Sequence, residues 1–296
     1  MQPTSQNIIQ PPPGSFLPPE TAATDAARSA LAYIERLAAS KDGILGHKTG
    51  FAKLDHATNG MEPGRFWLWG ARPGTGKTAL LTQVAVTLAS AGTKVGIVSL
   101  EQPAEQLLLR AAFQRTGCSR WDVVRDAGGA VGRVAGAVVA LAKLPIRYAE
   151  GPPTWSELRK TLALWSEDGV SVVFLDYLQL LDRSDPAPRI DVVGRISADI
   201  KSASKQFGMT LVGLSQLNRL AAREAAHMSH LRESGTLEQD ADIVCLLDRQ
   251  AEPEDPGEPV EVLLKIAKSR DGFTGSLPLL FDGPRYKFTE PPKEPF

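Results

Sequence analysis

The sequence predicts an α/β fold in which a mostly parallel central sheet is flanked by helices. Apolar, strand-like runs alternate with longer helix-like segments along most of the 296 residues. This alternation favours parallel strands that are covered on both faces. The predicted strands are 66–69, 94–100, 146–148, 170–175, 209–214, 243–247, 260–268 and 277–281.

Composition and charge argue against several classes of protein. Hydrophobic residues make up 43% of the chain and the formal net charge is −1, which favours a globular domain over a protein that coats nucleic acid through a global basic field. The only cysteines are Cys118 and Cys245, and two unpaired cysteines are typical of a reducing compartment. We find no signal peptide and no long apolar run, so we expect a cytoplasmic protein with no membrane partner.

The chain divides into four predicted regions. Residues 1–20 are rich in proline and predict a disordered arm, and 291–296 predict a short tail. Residues 21–43 contain an amphipathic helix with an apolar stripe that includes Leu31 and Ile34. That stripe packs either on its own domain or on a neighbouring subunit. Residues 44–290 form the main domain.

The glycine-rich segment 71–78 organises this domain. It reads Ala-Arg-Pro-Gly-Thr-Gly-Lys-Thr and lies between a predicted strand and a predicted helix, which is the context of a phosphate-binding P-loop. Backbone N–H groups and a helix N-terminus can bind phosphates there. The predicted nucleotide-binding residues of the segment are Arg72, Gly74, Thr75, Gly76, Lys77 and Thr78. One departure is Ala71, where the pattern expects glycine.

Polar residues follow three of the predicted strands. Glu101, Asp176 and Gln216 each come directly after an apolar run, so we expect them at the sheet edge that holds the P-loop. Asp176 is suited to hold Mg²⁺ together with the Thr78 hydroxyl, and Glu101 to deprotonate an attacking water. Gln216 can donate a hydrogen bond to the γ-phosphate.

Two cations near a predicted hairpin form a further candidate group. Lys268 and Arg270 are two residues apart on a strand and therefore share a face. An arginine and a lysine that project in this way could reach a nucleotide held by an adjacent subunit, as arginine fingers do. An ordinary solvated strand face explains the pair equally well.

A locally basic region follows Asp176. Arginines at 183, 189, 219, 223 and 232 favour phosphate contacts in the segments 183–189 and 217–235. The second segment contains no aromatic residue, so we expect binding to the nucleic-acid backbone without base stacking. Mixed charges on a helix explain Arg195 to Lys205 just as well.

A series of ordered motifs resembles the motor domain of DnaB-type replicative helicases. The motifs are Thr49-Gly50-Phe51-x-x-Leu54-Asp55, Ala71-Arg72-Pro73-x-x-Gly76-Lys77-Thr78, Ser99-Leu100-Glu101, Asp176-Tyr177-Leu178-Gln179-Leu180, Leu214-Ser215-Gln216-Leu217-Asn218-Arg219, Leu231-Arg232-Glu233-Ser234-Gly235 with Glu238-Gln239-Asp240-Ala241-Asp242, and Ala267-Lys268-x-Arg270-x-Gly272-x-x-Gly275. That family also tolerates alanine at the first P-loop position.

The resemblance implies a RecA-like P-loop NTPase that uses ATP and Mg²⁺ between the subunits of a hexameric ring and moves 5′ to 3′ on single-stranded DNA. It implies that Glu101 is the catalytic base, Gln216 the γ-phosphate sensor, and Lys268 with Arg270 the pair that acts in trans. The implied DNA-binding residues are Arg183, Arg189, Arg219, Arg223, Arg232, Glu233 and Gly235.

Two departures from the family affect the expected partners. We expect the chain to lack the family's helical N-terminal domain and to keep only the linker-type helix, which docks on a neighbouring motor domain in that family. His227-Met228-Ser229-His230 stands where the family usually has a proline and an acidic residue. A replication initiator, a loader or a primase is the implied protein partner. The alternative function is a RecA-like ATPase that loads, remodels or recombines DNA without processive unwinding.

Overall fold

The computed structural model describes residues 22–126, 128–151, 154–217, 235–250, 255 and 257–291. The predicted arm at 1–20, most of the predicted 217–235 segment and residues 292–296 of the tail lie outside this set. The chain forms two compact units, Met1–Asp42 and Gly43–Phe296.

The first unit contains one amphipathic helix, α1 (Ala23–Ala39), with no buried residue. Its larger apolar side chains are exposed, among them Leu31 at 61% and Ile34 at 59%. The helix ends before residue 43, because Ser40 is already extended. In the described part of this unit, residues 22–42, the helix therefore presents an exposed apolar stripe.

The second unit is built on a sheet of nine strands in the described part of the chain. The spatial order is β3-β2-β4-β5-β1-β6-β7-β8-β9. The six strands from β3 to β6 are parallel and the remaining three are antiparallel, which confirms the predicted mostly parallel sheet. The strands are β1 (Phe66–Ala71), β2 (Val95–Ser99), β3 (Ile146–Glu150), β4 (Val172–Asp176), β5 (Thr210–Gln216), β6 (Ile243–Arg249), β7 (Val260–Ser269), β8 (Gly275–Asp282) and β9 (Lys287–Thr289).

Helices flank the sheet on both faces. They are α2 (Ala52–Thr58), α3 (Lys77–Ser90), α4 (Ala104–Thr116), α5 (Arg120–Val124), α6 (Ala130–Leu141), α7 (Trp155–Glu167), α8 (Arg189–Phe207) and α9 (Gly235–Asp240). Gly117 ends α4 in the left-handed conformation. Gly128 and Gly129 lie in the connection between α5 and α6.

Alternating side chains of the strands form two cores, one on each face of the sheet. Trp67 and Trp69 of β1 pack with α3 on one face, whereas Phe66 and Leu68 pack with α7 and α8 on the other. Cys245 of β6 belongs to the same core as Trp67 and Trp69, and burial raises the pKa of its thiol to about 12. The parallel strands are thus held rigidly from both sides, which fixes where their carboxyl ends lie.

Strand β9 was not predicted from the sequence, where it falls inside a weakly patterned end of the domain. Phe288 is buried in β9, and its ring stacks on Phe281 of β8 with the centroids 4.5 Å apart. The Gln83 amide of α3 accepts from Phe288 N at 2.8 Å and donates to Phe288 O at 2.8 Å. These tertiary contacts specify the strand, and a three-residue pattern cannot reveal them.

Within the described residues, no helix combines the length and the apolar character that crossing a bilayer requires.

Candidate nucleotide-binding site

The P-loop connects β1 to α3 at the carboxyl end of the parallel strands. Its glycines meet two different requirements: Gly74 has φ +79° in open space, whereas Gly76 has φ +98° and a Cβ there would lie 2.9 Å from both Phe281 and Phe288. Only glycine therefore fits position 76. Ala71 is a buried β1 residue that pairs with Gln216 and Leu247, so this strand position does not need glycine.

A cleft of about 440 Å³ lies beside the P-loop. Most of the residues predicted to act on a nucleotide line it, and Thr75 is buried behind the loop. The predicted residues that line it are Arg72, Gly74, Gly76, Lys77, Thr78, Glu101 and Gln216. The cleft therefore brings together side chains from separate stretches of sequence.

Thr78, Lys77 and Asp176 form the polar base of the site. The Thr78 hydroxyl donates to Asp176 Oδ2 at 2.8 Å, and Lys77 Nζ lies 3.8 Å from Asp176 Oδ1. Asp176 is fully buried, and Oδ1 has no hydrogen-bond partner among the described residues. Burial lowers the pKa of Lys77, while the charges of Asp176 and Glu101 act in the opposite direction. Additional negative charge beside Lys77 would therefore favour its ammonium form.

Short hydrogen-bonded connections hold Glu101 and Gln216 at the strand ends. After β2, Leu100 N donates to Asp176 O at 2.8 Å, which ties the approach to Glu101 to the end of β4. Gln179 bridges to the end of β5, because it donates to Ser215 Oγ at 2.7 Å and accepts from Gln216 N at 3.4 Å. All three strand-end residues thus reach one edge of the sheet.

Several residues of the cleft were not predicted from the sequence. Tyr286 lies in the turn before β9, and Arg110 of α4 stands 5.1 Å from the centroid of its ring. Arg249, at the carboxyl end of β6, donates to Gly74 O at 2.9 Å. The strand-end rule applied to the predicted strand 243–247 would have pointed to Asp248 and Arg249, the two polar residues that follow it. Tyr286 carried no such signal, because the strand that follows it was not predicted.

Lys268 and Arg270 lie at the opposite end of the sheet from the P-loop. Arg270 N donates to Asp242 O, just before β6 begins, whereas the end of β1 pairs with Leu247. Five residues of strand separate the two levels, or about 16 Å. Lys268 Nζ and Arg270 NH2 both donate to Gln239 O, at 3.0 and 3.1 Å. Neither cation belongs to the cleft of its own chain.

The residues predicted to bind DNA fall into three situations. Arg183 is exposed, and Gly235 is the first residue of α9. Arg189 donates to the carbonyl oxygens of Gln179, Leu181 and Asp182 at 2.8 to 3.2 Å, so its guanidinium supports the turn that follows β4. The remaining predicted residues lie outside the described set: Arg219, Arg223, Arg232 and Glu233.

Comparison with known proteins places this geometry in a family. Residues 46–290 match the family model described as the DnaB-like helicase C terminal domain. The chain belongs to this family. Curated DnaB-like relatives include the replicative DNA helicase DnaC of Bacillus subtilis, 34% identical over 84% of this chain and 57% of the relative. The replicative DNA helicase DnaB of Geobacillus stearothermophilus is 33% identical over 82% of this chain and 56% of the relative. The chain thus spans little more than half the length of these relatives.

Solved structures share the fold. One that is described as an ATPase domain superposes with a TM-score of 0.83 and 27% identity, over 92% of this chain and 100% of that domain. A DnaB-like replicative helicase, described with its interactions with primase, gives a TM-score of 0.81 and 27% identity over 90% and 68% of the two chains. The predicted family and fold are confirmed.

Proposed function

We propose that this chain is the motor of a DnaB-type DNA helicase, which hydrolyses ATP to move on single-stranded DNA. One observation carries the proposal: a P-loop, a buried carboxylate, an acid and an amide converge on one cleft, while a lysine and an arginine suited to the γ-phosphate lie at the far end of the same sheet. The resulting site is incomplete within one chain. The relatives named above are replicative DNA helicases, which supports the same function.

In this proposal the cleft binds the nucleotide. Backbone N–H groups of the segment from Gly74 to Thr78 bind the phosphates at the start of α3, and Lys77 adds a positive charge beside the outer phosphates. Glu101 accepts a proton from the attacking water. Gln216 hydrogen-bonds the γ-phosphate without opposing its charge. Tyr286 and Phe281 give the cleft an aromatic wall for the base.

The residues present fit a magnesium ion. Asp176 Oδ1 is buried and has no hydrogen-bond partner in the described part of the chain, and the Thr78 hydroxyl lies beside the same carboxylate. A hydroxyl and a carboxylate are the oxygen ligands that Mg²⁺ takes in P-loop proteins. We propose that Thr78 and Asp176 hold it, Asp176 through water. When bound, the ion would neutralise negative charge on the phosphates.

Division of the site between copies explains the position of the two cations. Lys268 and Arg270 are held by their own chain about 16 Å along the strands from their own P-loop. This distance supports the proposal that they act on ATP bound by a neighbouring copy. Copies that each lend these residues to the next generate a ring, and a hexamer is the assembly we propose. The exposed apolar stripe of α1 is suited to dock on a neighbour in the same ring.

Single-stranded DNA is the proposed track, with 5′ to 3′ movement. Arg183 is exposed beyond the carboxyl end of β4 and offers a phosphate contact. The sequence alone supports the other proposed DNA-binding residues, which are Arg219, Arg223, Arg232, Glu233 and Gly235. Arg189 stays a proposed DNA contact, and its hydrogen bonds to carbonyl oxygens support the turn that follows β4. The solved DnaB-like helicase described with primase suggests a primase as a protein partner, and an initiator or loader is the other class that we propose.

Strand displacement on a forked duplex with two single-stranded tails tests the function, with Lys77→Ala as the control. We expect unwinding that requires ATP, Lys77 and the 5′ tail. DNA-stimulated ATP hydrolysis without displacement would instead support the RecA-like ATPase that loads or remodels DNA. A rate of ATP hydrolysis that does not change when DNA is added would contradict both functions.

A further inference from the structure

The surroundings of Arg270 contain a buried carboxylate to which the proposed function gives no role. Asp242 lies between α9 and β6 with its side chain 2% exposed, and Oδ1 stands 3.4 Å from Arg270 NH1. The backbone oxygen of Asp242 also accepts from Arg270 N at 3.1 Å. Asp242 therefore contacts the arginine through both its backbone and its side chain.

The second oxygen of this carboxylate is fixed by two other elements. Asp242 Oδ2 accepts from Phe66 N at 2.8 Å, at the start of β1, and from Lys201 Nζ of α8 at 2.5 Å. A buried carboxylate is expensive unless such partners compensate it. The bonds to β1 and α8 leave Asp242 little freedom to rotate, so the oxygen that faces Arg270 has a defined position.

The contacts orient Arg270 and leave some of its N–H donors available. A guanidinium carries five N–H donors. In the part of the chain that the structure describes, Asp242 meets NH1 and the Gln239 carbonyl meets NH2, so donors remain for a phosphate group. The side chain is 45% exposed. Lys268 is anchored beside it by Glu238 O at 2.6 Å and by Gln239 O. Both cations are therefore held by carbonyl oxygens of the same short helix, α9.

We propose that Asp242 is the positioning residue that directs Arg270 at the ATP of a neighbouring copy, and that Lys201 acts behind it by holding the carboxylate in place. The inference rests on the proposed trans role of Arg270 and extends it to two residues that never touch the nucleotide. The competing explanation is a purely structural one, in which Asp242 only ties β1, β6 and α8 together.

The Asp242→Asn variant separates the two explanations. Asparagine keeps the shape and one oxygen for Phe66 N, but it turns an amide N–H₂ group toward Arg270, which then loses its ion pair. Misplacement of a catalytic group by about 1 Å can cost on the order of 10²-fold in rate. We therefore expect kcat for DNA-stimulated ATP hydrolysis to fall by about that factor, with KM for ATP unchanged because the variant's own cleft is intact.

Asp271→Asn is the matched control. Asp271 carries the same charge, directly follows Arg270 in the chain and pairs with Arg65, so its neutralisation should leave kcat and KM unchanged. A normal kcat in Asp242→Asn would overturn the inference, and so would a rise in KM equal to the fall in kcat. If Arg270→Ala itself kept full turnover, the proposed trans role would be the part that fails.

Lys201→Gln keeps the test decisive if Asp242→Asn does not fold. Lys201 is only partly buried and glutamine can still donate to Asp242, so the variant should fold while holding the carboxylate less firmly. We expect a severalfold lower kcat at constant KM for ATP. An unchanged kcat in this variant, with Arg270→Ala inactive, would contradict the positioning role.

Mixed assemblies provide a readout that a structural role would not give. Asp242→Asn subunits keep a good cleft, so mixing them with Lys77→Ala subunits, which keep a good Arg270, should restore turnover. Mixing them with Arg270→Ala subunits should restore nothing, because neither variant supplies a directed arginine. Restoration by Arg270→Ala instead of Lys77→Ala would show that Asp242 serves its own cleft and would overturn the inference.

Discussion

The two ends of the parallel strands differ in how their charged groups are satisfied. At the carboxyl end, Lys77 and Glu101 face an open cleft, and Asp176 keeps a buried oxygen without a hydrogen bond among the described residues. At the amino end, Lys268 and Arg270 are bound by carbonyl oxygens and by Asp242. The first end has an open cleft, and the second has cations that are fixed by their own chain. This difference fits the proposed site that is divided between identical copies.

The largest expected effect on ATP turnover comes from a substitution at the amino end of the strands. Arg270→Ala removes the outward-directed guanidinium, and we expect ATP turnover to fall by about 10³ to 10⁵-fold. Binding of a fluorescent ATP analogue should stay nearly unchanged, because the cleft lies about 16 Å away along the strands. Arg270→Lys, which keeps the charge but not the fork of donors, should lose less. Turnover that survives in Arg270→Ala would contradict the shared site.

A change at the carboxyl end should act on binding instead. Gly76→Ala forces a Cβ to within 2.9 Å of Phe281 and Phe288, so we expect loss of ATP binding and a lower melting temperature. Gly92→Ala is the matched control, since Gly92 has φ +89° but nothing within 4 Å. That control bears only the backbone cost of about 1–2 kcal/mol. Equal binding of the analogue by both variants would show that close packing on the aromatic pair is not what Gly76 provides.

A smaller effect should come from the contact between α4 and the aromatic side of the cleft. Gln114 donates to Ala79 O and Tyr286 O, both at 2.7 Å, and is buried. We expect Gln114→Ala to lower the free energy of unfolding by about 1–3 kcal/mol, because buried acceptors lose their donor. Gln106→Ala, on the exposed face of the same helix, should change it by less than about 0.5 kcal/mol. Denaturant titration measures both variants, and equal stability would refute the role of Gln114.

The carboxyl end was far easier to predict from sequence than the rest. Glu101, Asp176 and Gln216 follow long apolar strands, and a parallel sheet brings such strand ends together whatever the details of packing. Ala71 looked like a defect only because the pattern hides that this position belongs to β1.

Tertiary contacts explain what was not predicted. Tyr286 reaches the cleft only because Gln83 and Gln114 bind the turn and strand around it, and those partners are far away in sequence. The sequence predicts a DNA contact for Arg189, and the hydrogen bonds of its guanidinium to carbonyl oxygens of its own turn were not predicted. The position of Asp242 under Arg270 depends on the register of β6 against β7, which no local pattern encodes.

The most direct test of the divided site mixes two inactive variants. Lys77→Ala subunits lack a working cleft but carry Arg270, and Arg270→Ala subunits carry the cleft but lack the arginine. If each site is built from two copies, an equal mixture regains ATP turnover that neither variant shows alone. A mixture that stays as inactive as its components, although the two variants assemble together, would contradict the account.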